Sequence, residues 1–505
     1  MINSIGSPQI SGINAENRLS SASGVQAQSA PVSDAPAHAE DSVELSSQNR
    51  TDKLLAATAD KAAKLESTLG EHVPGQVIVK TKGSLMCGVN DIAKKYGGEV
   101  IEKFKFNQSV FKGMQGDMIH MQLPEGMSTA QAMAAMQKDP SIEYAVPNTI
   151  YHLEPEPGAE PGAAAAQDAK TPEGKVPNDL DPKLWGLNNQ GQDNGTAGCD
   201  IGATKAWQTT TGLPNGQGPV IAVIDTGVDY NHPDLVNNIW TNPGEIPGNG
   251  IDDDGNGVID DVHGYNARYD NGDPMDKHSH GTHCAGTIAA EGNNGQGVVG
   301  VNWNATIMPI KIFGDDGSTD AASIIRGINY ATTMGARVTS NSWGGGPANE
   351  AIKEAFNKSN ALHIMAAGNS SDNNDVTPHF PSSYRLPNSI AVAATDRNDQ
   401  MAWFSCYGKN SVDLAAPGKD IYSTVPGGGY GNKSGTSMAT PHVTGAAGLL
   451  LAHDPTMSNE ELKARLLDGT DKIDGLQDKL VTGGRLNVDK AMHMEYTPND
   501  KNVNN

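Results

Sequence analysis

Hydrophobic and polar positions divide the chain into stretches of unlike character. Residues 1–52 are rich in Ser, Ala, Asn and Gln, with almost no aromatic side chain and no recurring period, which predicts an unfolded segment. A weak helical spacing covers 53–72. From 73 to 152 the pattern sharpens. Gln76-Val-Ile-Val-Lys80 alternates at the period of a strand, and so does Met118-Ile-His-Met-Gln-Leu123. Between them Asn90–Tyr96 is helical and stops at Gly97-Gly98. Ser128-Thr-Ala-Gln131 is a capping box opening an Ala/Met helix, and Ser141–Ala145 supplies a closing strand. The order βαββαβ predicts a small α+β, ferredoxin-like domain. Residues 153–176 are Pro, Ala and Glu with little to bury, and read as a linker. Over 177–492, short apolar runs (Val220–Ile224, Ile307–Ile312, Ala361–Ala367, Ile390–Ala394) alternate with helical stretches such as Ala321–Met334. That alternation predicts an α/β domain built on a doubly wound, mostly parallel sheet. A short polar tail, 493–505, follows.

Charge narrows the partners. Lys and Arg number 36 against 59 Asp and Glu, a net charge of −23 that phosphate backbones repel and divalent cations tolerate. Nucleic acid is therefore not an expected partner. No run approaches the ~18 consecutive apolar residues of a membrane span. No apolar stretch of signal-peptide length follows the start, so a Sec-type leader is not expected. Four cysteines (Cys87, Cys199, Cys284, Cys406) are too few to staple a fold of 505 residues.

In doubly wound sheets chemistry gathers beyond the carboxyl ends of strands. Val220-Ile-Ala-Val-Ile224 runs into Asp225-Thr-Gly227, placing a carboxylate there. Ser279-His280-Gly-Thr-His283-Cys-Ala-Gly286 opens one helical stretch, and Ser434-Gly-Thr-Ser437-Met-Ala-Thr-Pro-His442 opens another. Hydrolysis of an acyl bond needs a nucleophile, a base to take its proton and a carboxylate to orient that base. Ser437, His280 and Asp225 fill those roles. Met365-Ala-Ala-Gly-Asn369 ends a strand with an amide able to donate to an oxyanion beside the Ser437 N–H. Ser342-Trp343-Gly344-Gly345 offers an extended edge on which a peptide strand can pair, with Trp343 beside it to shape a pocket.

These motifs resemble those of subtilisin-type serine peptidases, the subtilase family, over residues 177 to 492. The resemblance implies that Asp225 orients, His280 is the base, Ser437 the nucleophile and Asn369 the oxyanion donor. It makes Ser342, Trp343 and Gly344 part of the substrate-pairing strand. Residues 73–152 resemble the family's inhibitory propeptide, implying a zymogen whose own propeptide plugs the site as an intramolecular inhibitor until cleaved within the linker. Protein or peptide substrates, a monomer and secretion are implied with it. His283 and His442 read as packed helix residues rather than catalytic ones.

Two alternatives remain at this level. His278, His280 and His283 form an H-x-H-x-x-H cluster at spacing that a zinc hydrolase tolerates, though zinc leaves the Ser437 and Asn369 segments unexplained. A non-catalytic binding scaffold on the same fold is the other. A second Asp-Thr-Gly or Asp-Ser-Gly, which an aspartic protease needs, is not in the sequence. Asp252-Asp-Asp254-Gly-Asn256-Gly-Val-Ile-Asp260 carries oxygen ligands in the order that opens a calcium loop, with His263 where an EF-hand has its bidentate Glu. A solvated acidic turn is the plainer account of it. By resemblance, Asp234 and Asn294 match a second calcium position, so structural Ca²⁺ is expected.

Overall fold

The computed structural model describes residues 58–83, 88–158 and 173–496. The expected unfolded segment 1–52, the start of the weak helix, Cys87, the middle of the linker and the end of the tail lie outside them. The weak helical spacing resolves into a helix at Ala59–Glu66.

The period-two alternation builds four strands: β1 (His72–Thr81), β2 (Glu99–Phe104), β3 (Met118–Gln122) and β4 (Ile142–His152). They order as β2-β3-β1-β4, every neighbour antiparallel. Helices Val89–Lys95 and Thr129–Met136 cover one face, packing on Val77, Val79, Ile119 and Met121. The second helix opens on the expected capping box, with Gln131 N–H donating to Ser128 Oγ at 3.2 Å and Ser128 N–H to Gln131 Oε1 at 2.8 Å. β4 runs seven residues past its expected end at Ala145, through Pro147. Pro147 has no N–H to give a ladder, and a bulge on β1 between the pairings of His72 and Val77 accommodates it.

The larger sheet is mostly parallel, as its double-sided apolar runs predict. Its strands are β5 (Val220–Asp225), β6 (Tyr265–Asn266), β7 (Thr306–Lys311), β9 (Ala336–Asn341), β10 (Leu362–Ala366), β11 (Ser389–Thr395) and β12 (Leu414–Pro417), with short β15 (Asp471–Lys472) and β16 (Gly484–Arg485) at one edge. The order β15-β16-β12-β11-β10-β9-β5-β7-β6 puts β5 where the strand order reverses. Only β15 runs antiparallel to its neighbour. Along β5, Ile221 and Val223 pack toward helix His280–Ala289, while Ala222 and Ile224 pack toward helices Ala321–Thr333 and Glu350–Lys358. Helix Thr436–His453 lies buried along β9 to β12. A hairpin of β13 (Ile421–Val425) and β14 (Gly429–Lys433) packs on helix His280–Ala289, with the Ser423 and Thr424 hydroxyls donating to the carbonyls of His283 and Thr282.

The two sheets join through β8 (Ser318–Asp320), which pairs antiparallel with the end of β4: Ile150 with Asp320, Tyr151 with Thr319, His152 with Ser318. Ile78, Phe104, Phe111 and Met118 share one apolar cluster with Ile324, Ile328 and Phe356. Polar groups fix the register: Asn148 Oδ1 accepts from Ala322 N–H at 3.0 Å, and Arg326 pairs with Glu102. Among the described residues no helix is long and apolar enough to cross a membrane.

Candidate active site

Three segments meet beyond the carboxyl ends of β5, β9 and β10. β5 ends at Asp225, which is fully buried; its Oδ1 accepts from Thr226 N–H and faces His280 Nδ1, each at 2.7 Å. His280 opens its helix because Asp276 gathers the turn before it. That carboxylate accepts from the N–H groups of His278, Ser279 and Thr282 and from the hydroxyls of Thr226 and Thr282. Gly281 is the residue that lets helix and strand end touch, since a Cβ there would stand 2.1 Å from Gly227 O. Burial works against a charged His280, but the Asp225 carboxylate outweighs it and holds the ring's pKa above its ordinary value.

Ser437 is the second residue of helix Thr436–His453, so its N–H belongs to the first turn, which has no intrahelical acceptor. Four residues on stands Pro441, which has no N–H to give the Ser437 carbonyl. Cys284 Sγ supplies a donor instead, at 3.4 Å. Burial pushes that thiol well above its ordinary pKa, and one ligand atom each of Asp225, His280 and Cys284 lie within 4.8 Å of one another. The Ser437 hydroxyl donates to Ser342 O at 2.8 Å; no hydrogen bond joins it to His280 in this arrangement. Asn369 Oδ1 accepts from Thr436 N–H at 2.8 Å and from Thr436 Oγ1 at 3.0 Å, which locks the carboxamide beside the helix start and spends its oxygen, not its NH₂.

The other histidines do not converge. His283 is buried, with Nε2 against the carbonyls of Ile421 and Gly431, and burial pushes its pKa down to about 3. The His278 and His280 rings lie 6.5 Å apart, and no His-rich metal group forms among the described residues. The zinc arrangement is therefore not built: His280 is held by Asp225 and His283 by the backbone carbonyls of Ile421 and Gly431. His442 is likewise packed, Nδ1 on Met438 O, with its pKa lowered by burial to about 4.

Trp343 corrects an expectation. Its indole turns into the core instead of standing open beside the edge, and donates to Ile224 O at 2.9 Å. Gly345 N–H is taken by Phe380 O at 3.1 Å and Tyr151 lies against Gly346, while the chain's own extended segment pairs on β8, which three polar residues before a helix gave no periodicity to reveal. Leu153 N–H continues that ladder to Gly317 O at 2.9 Å. Beyond it Leu153, Glu154, Pro155 and Glu156 border one cavity with His278 and His280.

Of the acidic loop, Asp252 and Asp254 come together with Glu245, which motif spacing missed. Glu245 Oε2 is buried without a partner, and all three groups offer hard oxygen, so the set fits Ca²⁺. Asp260 is not in this group: its oxygens accept the N–H groups of Gly248, Asn249 and Gly250. Asn256 Oδ1 is taken by Val258 N–H, and its NH₂ bonds Asp254 and Asp261. At the second position Asn294 Nδ2 donates to buried Asp234 Oδ1 at 2.6 Å. Asp179, also missed, accepts from Asn294 N–H and keeps a buried, unpartnered Oδ1.

A family model described as the subtilase family matches residues 216–490, and one described as the fervidolysin N-terminal prodomain matches 58–148. Thermitase of Thermoactinomyces vulgaris is 37% identical over 295 residues, 58% of this chain and 93% of that protein. A thermophilic serine proteinase of Bacillus sp. (strain AK1) is 39% identical over 54% of this chain and 60% of its own length. Subtilisin-like protease 1 of Plasmodium falciparum is 33% identical over 54% and 43%. Among solved structures, fervidolysin from Fervidobacterium pennivorans, a keratinolytic enzyme related to subtilisin, superposes with a TM-score of 0.64 at 27% identity, covering 85% of this chain and 62% of that one. The matched part thus spans less than two thirds of the last three proteins.

Proposed function

The chain belongs to the subtilase family and is a serine endopeptidase with an N-terminal prodomain-like region, and from that premise we propose that Asp225, His280 and Ser437 are its triad and that it is a self-processing zymogen. The observation that carries this is the convergence of a hydroxyl, an imidazole and a carboxylate from positions 225, 280 and 437 at one end of one sheet. Family membership removes the binding-scaffold alternative.

In the proposed cycle Ser437 Oγ leaves Ser342 O, turns to His280 Nε2 and attacks the peptide carbonyl. His280 takes its proton; Asp225 holds the tautomer and steadies the imidazolium. Asn369 Nδ2 and the Ser437 N–H receive the oxyanion. Collapse expels the amine, which leaves with the His280 proton and gives the acyl-enzyme. Water then attacks, its proton passing to His280 and on to Ser437 as the acid departs. Ca²⁺ would be held by Glu245, Asp252 and Asp254, and at the second position by Asp179, Asp234 and Asn294, where it would neutralise clustered carboxylates and tie loops together without entering the chemistry. Residues 73–152 act as the intramolecular inhibitor, their strand continuing over His280 as residues 153–156, and the cut falls within 153–176. Other partners are protein or peptide substrates, and the enzyme works as a monomer.

The test is Ser437→Ala in the full chain. Peptidase activity and release of the N-terminal domain are both expected to vanish, a loss of several orders of magnitude. Purified Ser437→Ala protein that still cuts itself would mean that another group does the chemistry.

A further inference from the structure

We propose that His379 makes the substrate pocket of this site selective for an acidic side chain, so that the enzyme cuts after glutamate. The proposal rests on the triad reading above and names its substrate class.

The pocket follows from where β9 and β10 end. Their continuations, Ser342–Gly346 and Ala367–Asn369, leave a slot lined by glycine backbone, and the His379 ring fills its far end. A Cβ on Gly344 would stand 2.2 Å from His379 Cε1, and one on Gly368 2.6 Å from Cδ2. Asn369, the oxyanion donor, is the residue after Gly368, so the slot opens beside the reacting carbonyl.

The chain already places a ligand there. Glu154 Oε1 lies 2.8 Å from His379 Nε2, and the ring is only 7% exposed. The other ring nitrogen, Nδ1, lies 3.3 Å from Ser382 Oγ, which fixes the ring's orientation. Nε2 is thereby aimed into the slot, where as a donor it makes a charge-assisted bond to a carboxylate that an amide of the same shape does not match, and it offers a lysine ammonium no negative partner.

The direction of the chain makes Glu154 the acyl-side residue. Ile150 to Leu153 pair along β8 and Gly317, and Glu154 is the next residue, where the chain reaches the cavity bordered by His280. The leaving nitrogen would be that of Pro155, whose ring crowds the point where His280 must return its proton. This segment therefore occupies the pocket as a ligand that resists cleavage. Two residues further on Glu156 pairs with Lys433, adding a second acidic contact on the leaving side.

The experiment uses the full chain after it has processed itself, titrated with a fluorophosphonate to count active Ser437. Peptides identical except for Glu, Gln, Phe or Lys before the scissile bond, and with a residue other than proline after it, are compared by kcat/KM. Glu is expected to exceed Gln by about tenfold or more, and His379→Ala to bring that ratio close to one. The wild-type ratio decides by itself if the variant does not fold. Enzyme that titrates fully yet cleaves after Gln, Phe or Lys as well as after Glu overturns the assignment of His379 and leaves the peptidase reading standing. Failure both to titrate and to cleave any of the four overturns that reading, and this proposal with it.

Discussion

At the scale of single residues the site is held by groups that never touch a substrate. Pro441 removes the donor that Ser437 O would otherwise have, and Cys284 fills the gap from the helix that carries His280, so the helices bearing His280 and Ser437 are tied near their starts. Asp276 does the same between β5 and the His280 helix. The Asp225–His280 pair has a consequence in pH. His280 acts as a base only when unprotonated, and its raised pKa means that the proton is held to higher pH than on a free imidazole. The acid limb of the kcat/KM profile is therefore expected to have its midpoint above 6.5, with activity rising as pH increases through it. Asp225→Asn removes the carboxylate that opposes the burial penalty, so the midpoint of the residual activity should move down while the rate falls by about 10⁴. A wild-type midpoint below 6.5 would contradict the pairing.

Elements show why part of this was legible in the sequence and part was not. Strands buried on both faces write continuous apolar runs, so β5, β7, β10 and β11 were found within one or two residues. Motifs confined to one strand end or one helix start, such as Asp225-Thr-Gly and Gly-Thr-Ser437, carry their chemistry in local spacing. Groups brought in through space write nothing. Glu245 reaches Asp252 and Asp254 from the preceding loop, and His379 reaches its slot from an irregular segment before Pro381. Trp343 misled because a large aromatic beside a binding edge and one beneath it have the same sequence. The calcium reading belongs at this scale, since both oxygen clusters join loops rather than lie in one element. Removing bound ion withdraws a ligand from the folded state only, so excess EDTA should lower Tm by about 5 °C or more while kcat measured at once changes little. Glu245→Gln should lower Tm in calcium and blunt the further drop in EDTA. A Tm indifferent to EDTA in the wild type counts against both clusters.

The whole molecule is a sheet-bearing N-terminal domain that shares an apolar cluster with the enzyme it covers and sends its last strand across the catalytic cavity. A zymogen of the kind proposed above is cut before it works, and the preference proposed for the pocket gives a place for the cut. The linker 153–176 holds five carboxylates: Glu154, Glu156, Glu160, Asp168 and Glu173. Proline follows each of the first three, so no bond after them presents an unhindered leaving nitrogen. Asp168 is one methylene shorter than the glutamate that spans the slot to His379. Glu173 is followed by Gly174, is exposed, and pairs with the exposed Lys205. Lys175 N–H, two residues on, is already bonded to Thr204 O at 2.8 Å, so a chain cut there stays anchored to the α/β domain. The mature enzyme is therefore expected to begin at Gly174, read by N-terminal sequencing of the active fraction, and Glu173→Gln should slow maturation by about tenfold, the loss of one charge-assisted contact. A mature N-terminus following Lys170 or Lys175 instead would place a basic residue in the pocket, where a ring N–H at the far end offers it no negative partner.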